Sequence, residues 1–67
     1  MKIVKVIEVI ASSDKGFSEA IENAVKEAAK TVKNIESVYV QEMKALVKDN
    51  SIISYGVNAK ISFVVES

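Results

Sequence analysis

Sixty-seven residues with no Cys and no His exclude disulfides, thiolate chemistry and a structural zinc site, in a chain too short to bury much surface alone. Nine Lys against nine acidic residues leave no net charge, and without Arg the bidentate readers of phosphate and guanine are missing, so nucleic acid is not an expected partner. Nearly half of the residues are hydrophobic, yet no apolar run approaches the roughly 20 residues of a membrane span.

Ile3 to Ile10 reads as a first strand. Ile3, Val4, Val6, Ile7, Val9 and Ile10 dominate it, and β-branched side chains suit a pleated surface. Lys5 and Glu8 interrupt the run, which makes it a poor signal-peptide core. With no leader pattern and no Cys, the cytoplasm is the expected compartment. Ala11 to Gly16 punctuates the chain, and Ser12, Ser13 and Asp14 are each suited to cap a following helix.

Phe17 to Lys33 carries a helical period. Phe17, Ala20, Ile21, Ala24, Val25, Ala28, Ala29 and Val32 recur at steps of three and one, which marks one face of a helix. Acids come early and lysines late, in keeping with the helix dipole. The stripe is rich in Ala, so a sheet can approach it closely. Asn34 suits the left-handed turn that ends such a helix.

Ile35 to Lys48 reads as the second strand. Val38 and Val40 share one phase, whereas Met43, Ala45 and Val47 share the other. A bulge near Gln41 and Glu42 accounts for the slip, as does burial on both sides. Asp49, Asn50 and Ser51 form a turn that returns the chain as a hairpin.

Ile53 to Val65 shows the cleanest pattern in the chain. Ile53, Tyr55, Val57, Ala59, Ile61, Phe63 and Val65 are all apolar, and the residues between them are polar or Gly except Val64. That alternation predicts one long strand with a dry face. The expected fold is therefore α+β, a single domain over residues 1–67. Its order is β-α-β-β, with one helix packed on a three-stranded antiparallel sheet ordered 1-3-2. The odd face of strand three should meet the helix. The other sheet face should show Val38, Val40 and Leu46, or their counterparts if a bulge shifts the phase. Apolar residues on both faces of so small a fold point to self-assembly.

The element order, the length and several strings resemble the dodecins. These strings are Lys5-Val6-Ile7-Glu8-Val9-Ile10-Ala11-Ser12-Ser13, Phe17 with the Ala-rich helix, Thr31-Val32-Lys33-Asn34-Ile35, Tyr55, and Ile61-Ser62-Phe63. The resemblance implies a non-enzymatic protein that forms a hollow homododecamer. The family's role is small-molecule binding and storage, typically of a flavin such as FMN, riboflavin or FAD. Flavin-binding members stack the ring on a Trp near the start of strand two and hold its edge with a Gln just after the Tyr of strand three. Those positions fall on Ser37 and Gly56 here, which argues against tight flavin binding. Tyr39 lies two residues from Ser37 on the same strand face and is a candidate substitute. The string Lys5 to Ile10 is also close to a calcium-binding branch without the aromatic platform. Calcium needs six to eight oxygen ligands, and Asp49-Asn50-Ser51 is the nearest approach to them.

Each candidate has a plainer reading. Tyr39 also suits an interface rim, Gly56 a bulge or close strand packing, and Asp49 to Ser51 an ordinary turn. Ser12 to Asp14 suit capping better than an anion site. Glu8 and Glu42 suit salt bridges between subunits or the lining of a channel. Without His or Cys no catalytic constellation stands out. Three readings remain: an assembly with flavin binding lost, a flavin binder with a pocket remodelled around Tyr39, and a structural or calcium-binding assembly with no organic ligand.

Overall fold

The computed structural model describes residues 1–65. Its elements are β1 (Ile3–Ser13), α1 (Phe17–Ala29), β2 (Ile35–Lys48) and β3 (Ser51–Val65). The sheet order is β1-β3-β2, and both outer strands run antiparallel to β3. This is the expected β-α-β-β arrangement, with β3 in the middle where its clean alternation is most useful.

The odd positions of β3 face the helix. Val57, Ala59 and Ile61 are buried there, against buried Ala20, Ala24 and Ala28 of α1. These alanines fall at i, i+4 and i+8, one above the other on the helix surface. Their small side chains bring the helix axis close to the sheet. Ile7, Val9, Val32, Ile35 and Val38 pack around the same cluster. Phe17 meets Tyr55 edge to face, with ring centroids 5.0 Å apart, and closes one end of the core.

The helix is shorter than its sequence pattern suggests. It stops at Ala29, and the N–H groups of Thr31 and Val32 both bond the carbonyl of Ala28. Val32 still reaches the core from this tightened turn, which explains why it keeps the apolar phase. Asn34 then turns the chain with a φ of 62°, and its carbonyl accepts the Val64 N–H.

β1 runs three residues beyond Ile10. Ser13, at its end, is buried, and its hydroxyl accepts the Lys15 N–H and donates to the Glu19 carboxylate at 2.8 Å. Gly16, not Ser12, Ser13 or Asp14, occupies the cap position. Ser13 instead braces the loop against the first helical turn.

Three register shifts shape the β2–β3 pair. Glu36 and Gln41 are extra residues in β2, and Ile53 is an extra residue in β3. The expected bulge near Gln41 is thus present. It brings Met43, opposite Val57, onto the same side as Val40, opposite Ala59. Val38 and Val40 therefore face the helix, not the far side of the sheet. The far face instead shows Val4, Val6, Ile10, Tyr39 and Leu46, all well exposed. Asp49 and Asn50, with φ of 52° and 64°, form the two-residue hairpin turn between Lys48 and Ser51. Consecutive left-handed residues match the twist of the flanking strands.

A candidate ligand face on the sheet

The far face is a set of rows read from the strand pairings. Antiparallel partners point to the same side. Val6, Ser62 and Ser37 form one row across the sheet. Glu8, Lys60 and Tyr39 form the next, then Ile10, Asn58 and Glu42, then Ser12, Gly56 and Lys44.

Ser37 reaches this face because the Glu36 bulge separates it in phase from Ile35, which pairs with Phe63 on the helix side. Its hydroxyl is in hydrogen-bond contact with that of Ser62. Tyr39, one row along, is 65% exposed and pairs with Lys60. Ser37 and Tyr39 are thus brought together on one open surface.

Gly56 lies elsewhere. Six residues of β3 separate it from Ser62, roughly 20 Å at about 3.4 Å per residue. No single small ring spans both ends of that distance within one subunit. Gly56 sits in regular register between Ser12 and Lys44, so it marks no bulge. Nor does packing demand glycine there. A Cβ would stand 3.6 Å from the Lys44 carbonyl oxygen and 3.9 Å from Lys44 Cγ, both ordinary contacts.

The missing side chain leaves an open hollow of about 130 Å³, lined by Ile10, Glu42, Lys44, Gly56, Val57 and Asn58. Asn58 Oδ1 is buried beside it with no hydrogen-bond partner. A buried acceptor left alone costs about 1–3 kcal/mol, so this atom is a poor fit for an isolated subunit. Asn58 was not singled out from sequence. Its even position in β3, beside Gly56 and between two charged or apolar neighbours, was the available signal.

The remaining candidates separate cleanly. Glu8 stands opposite Lys60, but among the described residues neither Glu8 nor Glu42 forms an ion pair. Glu42 lines the hollow. At the helix start, the Glu19 carboxylate already accepts the Ser13 hydroxyl, and a second anion would meet its charge. Asp49 and Asn50 owe their place to the turn they make. Among the described residues, no group of three Asp or Glu side chains converges on a metal position. No helix among them is long and apolar enough to cross a membrane.

The family model described as Dodecin matches residues 3–66. A curated relative named Dodecin, from Thermus thermophilus, is 26% identical over 65 residues, covering 97% of this chain and 94% of that protein. The structure of dodecin from Streptomyces coelicolor superposes with a TM-score of 0.91 at 26% identity, covering 98% of this chain and 94% of that one. A Mycobacterium tuberculosis structure is described as a calcium-chelating immunodominant antigen, calcium dodecin, with a novel calcium-binding site. It superposes with a TM-score of 0.81 at 28% identity, covering 96% and 91% of the two chains.

Proposed function

Since this chain belongs to the dodecin family, we propose that it is a non-enzymatic protein that assembles into a hollow homododecamer and no longer holds a flavin by the family's stacking contacts. The observation that carries this reading is the Ser37–Ser62 hydroxyl pair. It stands at the position matching the family's aromatic platform. Two small hydroxyls offer neither the area nor the polarisable face of an indole ring, which contributes about 0.5–1.5 kcal/mol beyond burial when stacked. At Gly56 the matching edge-holding side chain is absent as well. Residues 37 and 56 are so far apart in one subunit that any shared site requires at least two copies.

Self-assembly is supported by the large exposed apolar side chains and by the small core. Ten such residues besides Met1 are at least 38% exposed, in a fold whose buried hydrophobic residues include four alanines. Light scattering tests the assembly, with a mass near twelve subunits expected. Flavin titration tests the ligand reading. We expect flavin fluorescence to stay unquenched and the unfolding temperature to stay unchanged. A yellow purified protein would overturn the loss of flavin.

A second reading keeps a ligand site around Tyr39, whose exposed ring shares a face with Ser37 and with the Lys60 ammonium. Replacing Tyr39 by Ala would then abolish ligand-induced stabilisation without changing the mass. A calcium role, by analogy with the mycobacterial relative, would need oxygen ligands from more than one copy.

A further inference from the structure

Three polar groups around the hollow at Gly56 lack partners. Glu42 and Lys44 lie two residues apart on one face of β2, with roughly 7 Å between their Cα atoms at about 3.4 Å per residue. Their charges are opposite, yet neither joins an ion pair among the described residues, with each other or with any other group. The third group is the buried Asn58 Oδ1. It stands in the row of Glu42, directly across the β2–β3 pairing. A carboxylate only accepts hydrogen bonds, so Glu42 cannot satisfy it. Lys44, the one cationic side chain of the lining, does not reach it.

The lining is therefore polarised. Two acceptors face each other in the Glu42–Asn58 row, where opposed Cβ atoms stand about 4.5–5.5 Å apart. A strong donor, Lys44, lies one row further, beside Gly56. Ile10, which pairs with Asn58 from β1 and is 79% exposed, supplies an apolar edge. An anion alone would meet the Glu42 charge, and a cation alone would leave Lys44 without a partner. An occupant that suits every group carries a cationic N–H donor at one end and an anionic acceptor at the other. Size narrows the choice. The hollow, about 130 Å³, is well under the roughly 300–1,000 Å³ of pockets for drug-sized ligands. A small α-amino acid matches it. Its ammonium and carboxylate, with a charge-assisted hydrogen bond of about 2.8 Å at each end, span roughly 8 Å, which the flexible Glu42 and Lys44 head groups can bracket.

We propose that the hollow at Gly56 binds a small zwitterionic α-amino acid. The ligand ammonium sits between the Glu42 carboxylate and Asn58 Oδ1, and its carboxylate meets the Lys44 ammonium. A short apolar side chain lies on Ile10. Glycine at position 56 keeps this space free, since a larger side chain there would project between Glu42 and Lys44. All of these groups belong to one subunit, so the proposal rests on neither the number of copies nor the loss of flavin.

The test uses the full chain with L-alanine as probe, read by isothermal titration calorimetry and by the unfolding temperature. The expected result is saturable binding in the millimolar range and a rise in unfolding temperature as the ligand concentration grows. Methylamine and acetate, each carrying one of the two charges, should bind at least tenfold more weakly. Glu42→Gln, Lys44→Met and Gly56→Leu should each weaken L-alanine binding at least tenfold, with folding checked by far-UV circular dichroism. Glu42→Gln keeps the shape of the side chain, so it decides the matter if Gly56→Leu disturbs the strand. No saturable binding to the wild type would overturn the site. Unchanged affinity in folded Glu42→Gln and Lys44→Met would overturn its placement at the hollow. Methylamine or acetate binding as tightly as L-alanine would overturn the zwitterion.

Discussion

Ser37 of β2 and Ser62 of β3 share a hydrogen bond across the far face of the sheet. Each is small, and together they leave a flat polar patch in the row between Tyr39 and the chain ends. Ser37 is one of the two positions on which the flavin reading turns, and Gly56, opposite Lys44, is the other.

Placing the family's aromatic and amide side chains at Ser37 and Gly56 should confer flavin binding. Gly56 has room for a side chain, since its nearest neighbours lie at ordinary contact distance. We expect Ser37→Trp with Gly56→Gln to quench flavin fluorescence where the wild type does not. Ser37→Trp alone should recover less. A stack of about 0.5–1.5 kcal/mol corresponds to roughly a 2- to 13-fold change in affinity beyond the buried area. An unquenched double variant of unchanged mass would show that the scaffold itself has changed.

The alanine contact between α1 and β3 should be intolerant of volume. Ala24 and Ala59 are both fully buried. Ala24→Leu should cost roughly 1–3 kcal/mol through overpacking. Ile61→Ala, which empties a fully buried site, should cost about 2–5 kcal/mol. Thermal or denaturant unfolding at fixed protein concentration reads both changes.

Ser13 should matter where its neighbour Ser12 does not. The Ser13 hydroxyl makes two hydrogen bonds near the helix start, worth about 0.5–1.5 kcal/mol each. Ser12 contributes its backbone carbonyl, which accepts from Asn23 and survives substitution. Ser13→Ala should lower the unfolding temperature clearly, and Ser12→Ala should leave it nearly unchanged.

The hairpin turn should select against β-branched residues. Asn50 holds a φ of 64°, where such a side chain costs roughly 1–2 kcal/mol. Asn50→Val should destabilise by that amount, and Asn50→Gly should be tolerated. Equal stability of the two variants would contradict the turn geometry.

Much of the fold was legible because β3 alternates without a break. Its odd residues meet the helix, and the phase slip in β2 does correspond to a bulge, at Gln41. The far face was misread in part for the same physical reason. Val38 and Val40 lie on the helix side, opposite to Leu46, because Gln41 inserts a residue between these valines and that leucine, and an extra residue leaves no trace in composition. The helix end at Ala29 was hidden because Val32 stays apolar in a tightened turn. Within the candidate site, Ser37 and Tyr39 are neighbours, as strand periodicity alone requires. The distance to Gly56 and the orphaned Asn58 oxygen depend on register, which pairs residues far apart in the chain.

The placement of β3 also bears on how the molecule is made. Within the sheet, β1 and β2 pair only with the strand between them, and that strand is synthesised after both. A ribosome that has delivered the chain as far as Lys48 has produced two greasy ribbons with no mate. Completing the sheet must therefore wait until the final quarter of the described chain emerges, and until then those ribbons are open to capture by a chaperone.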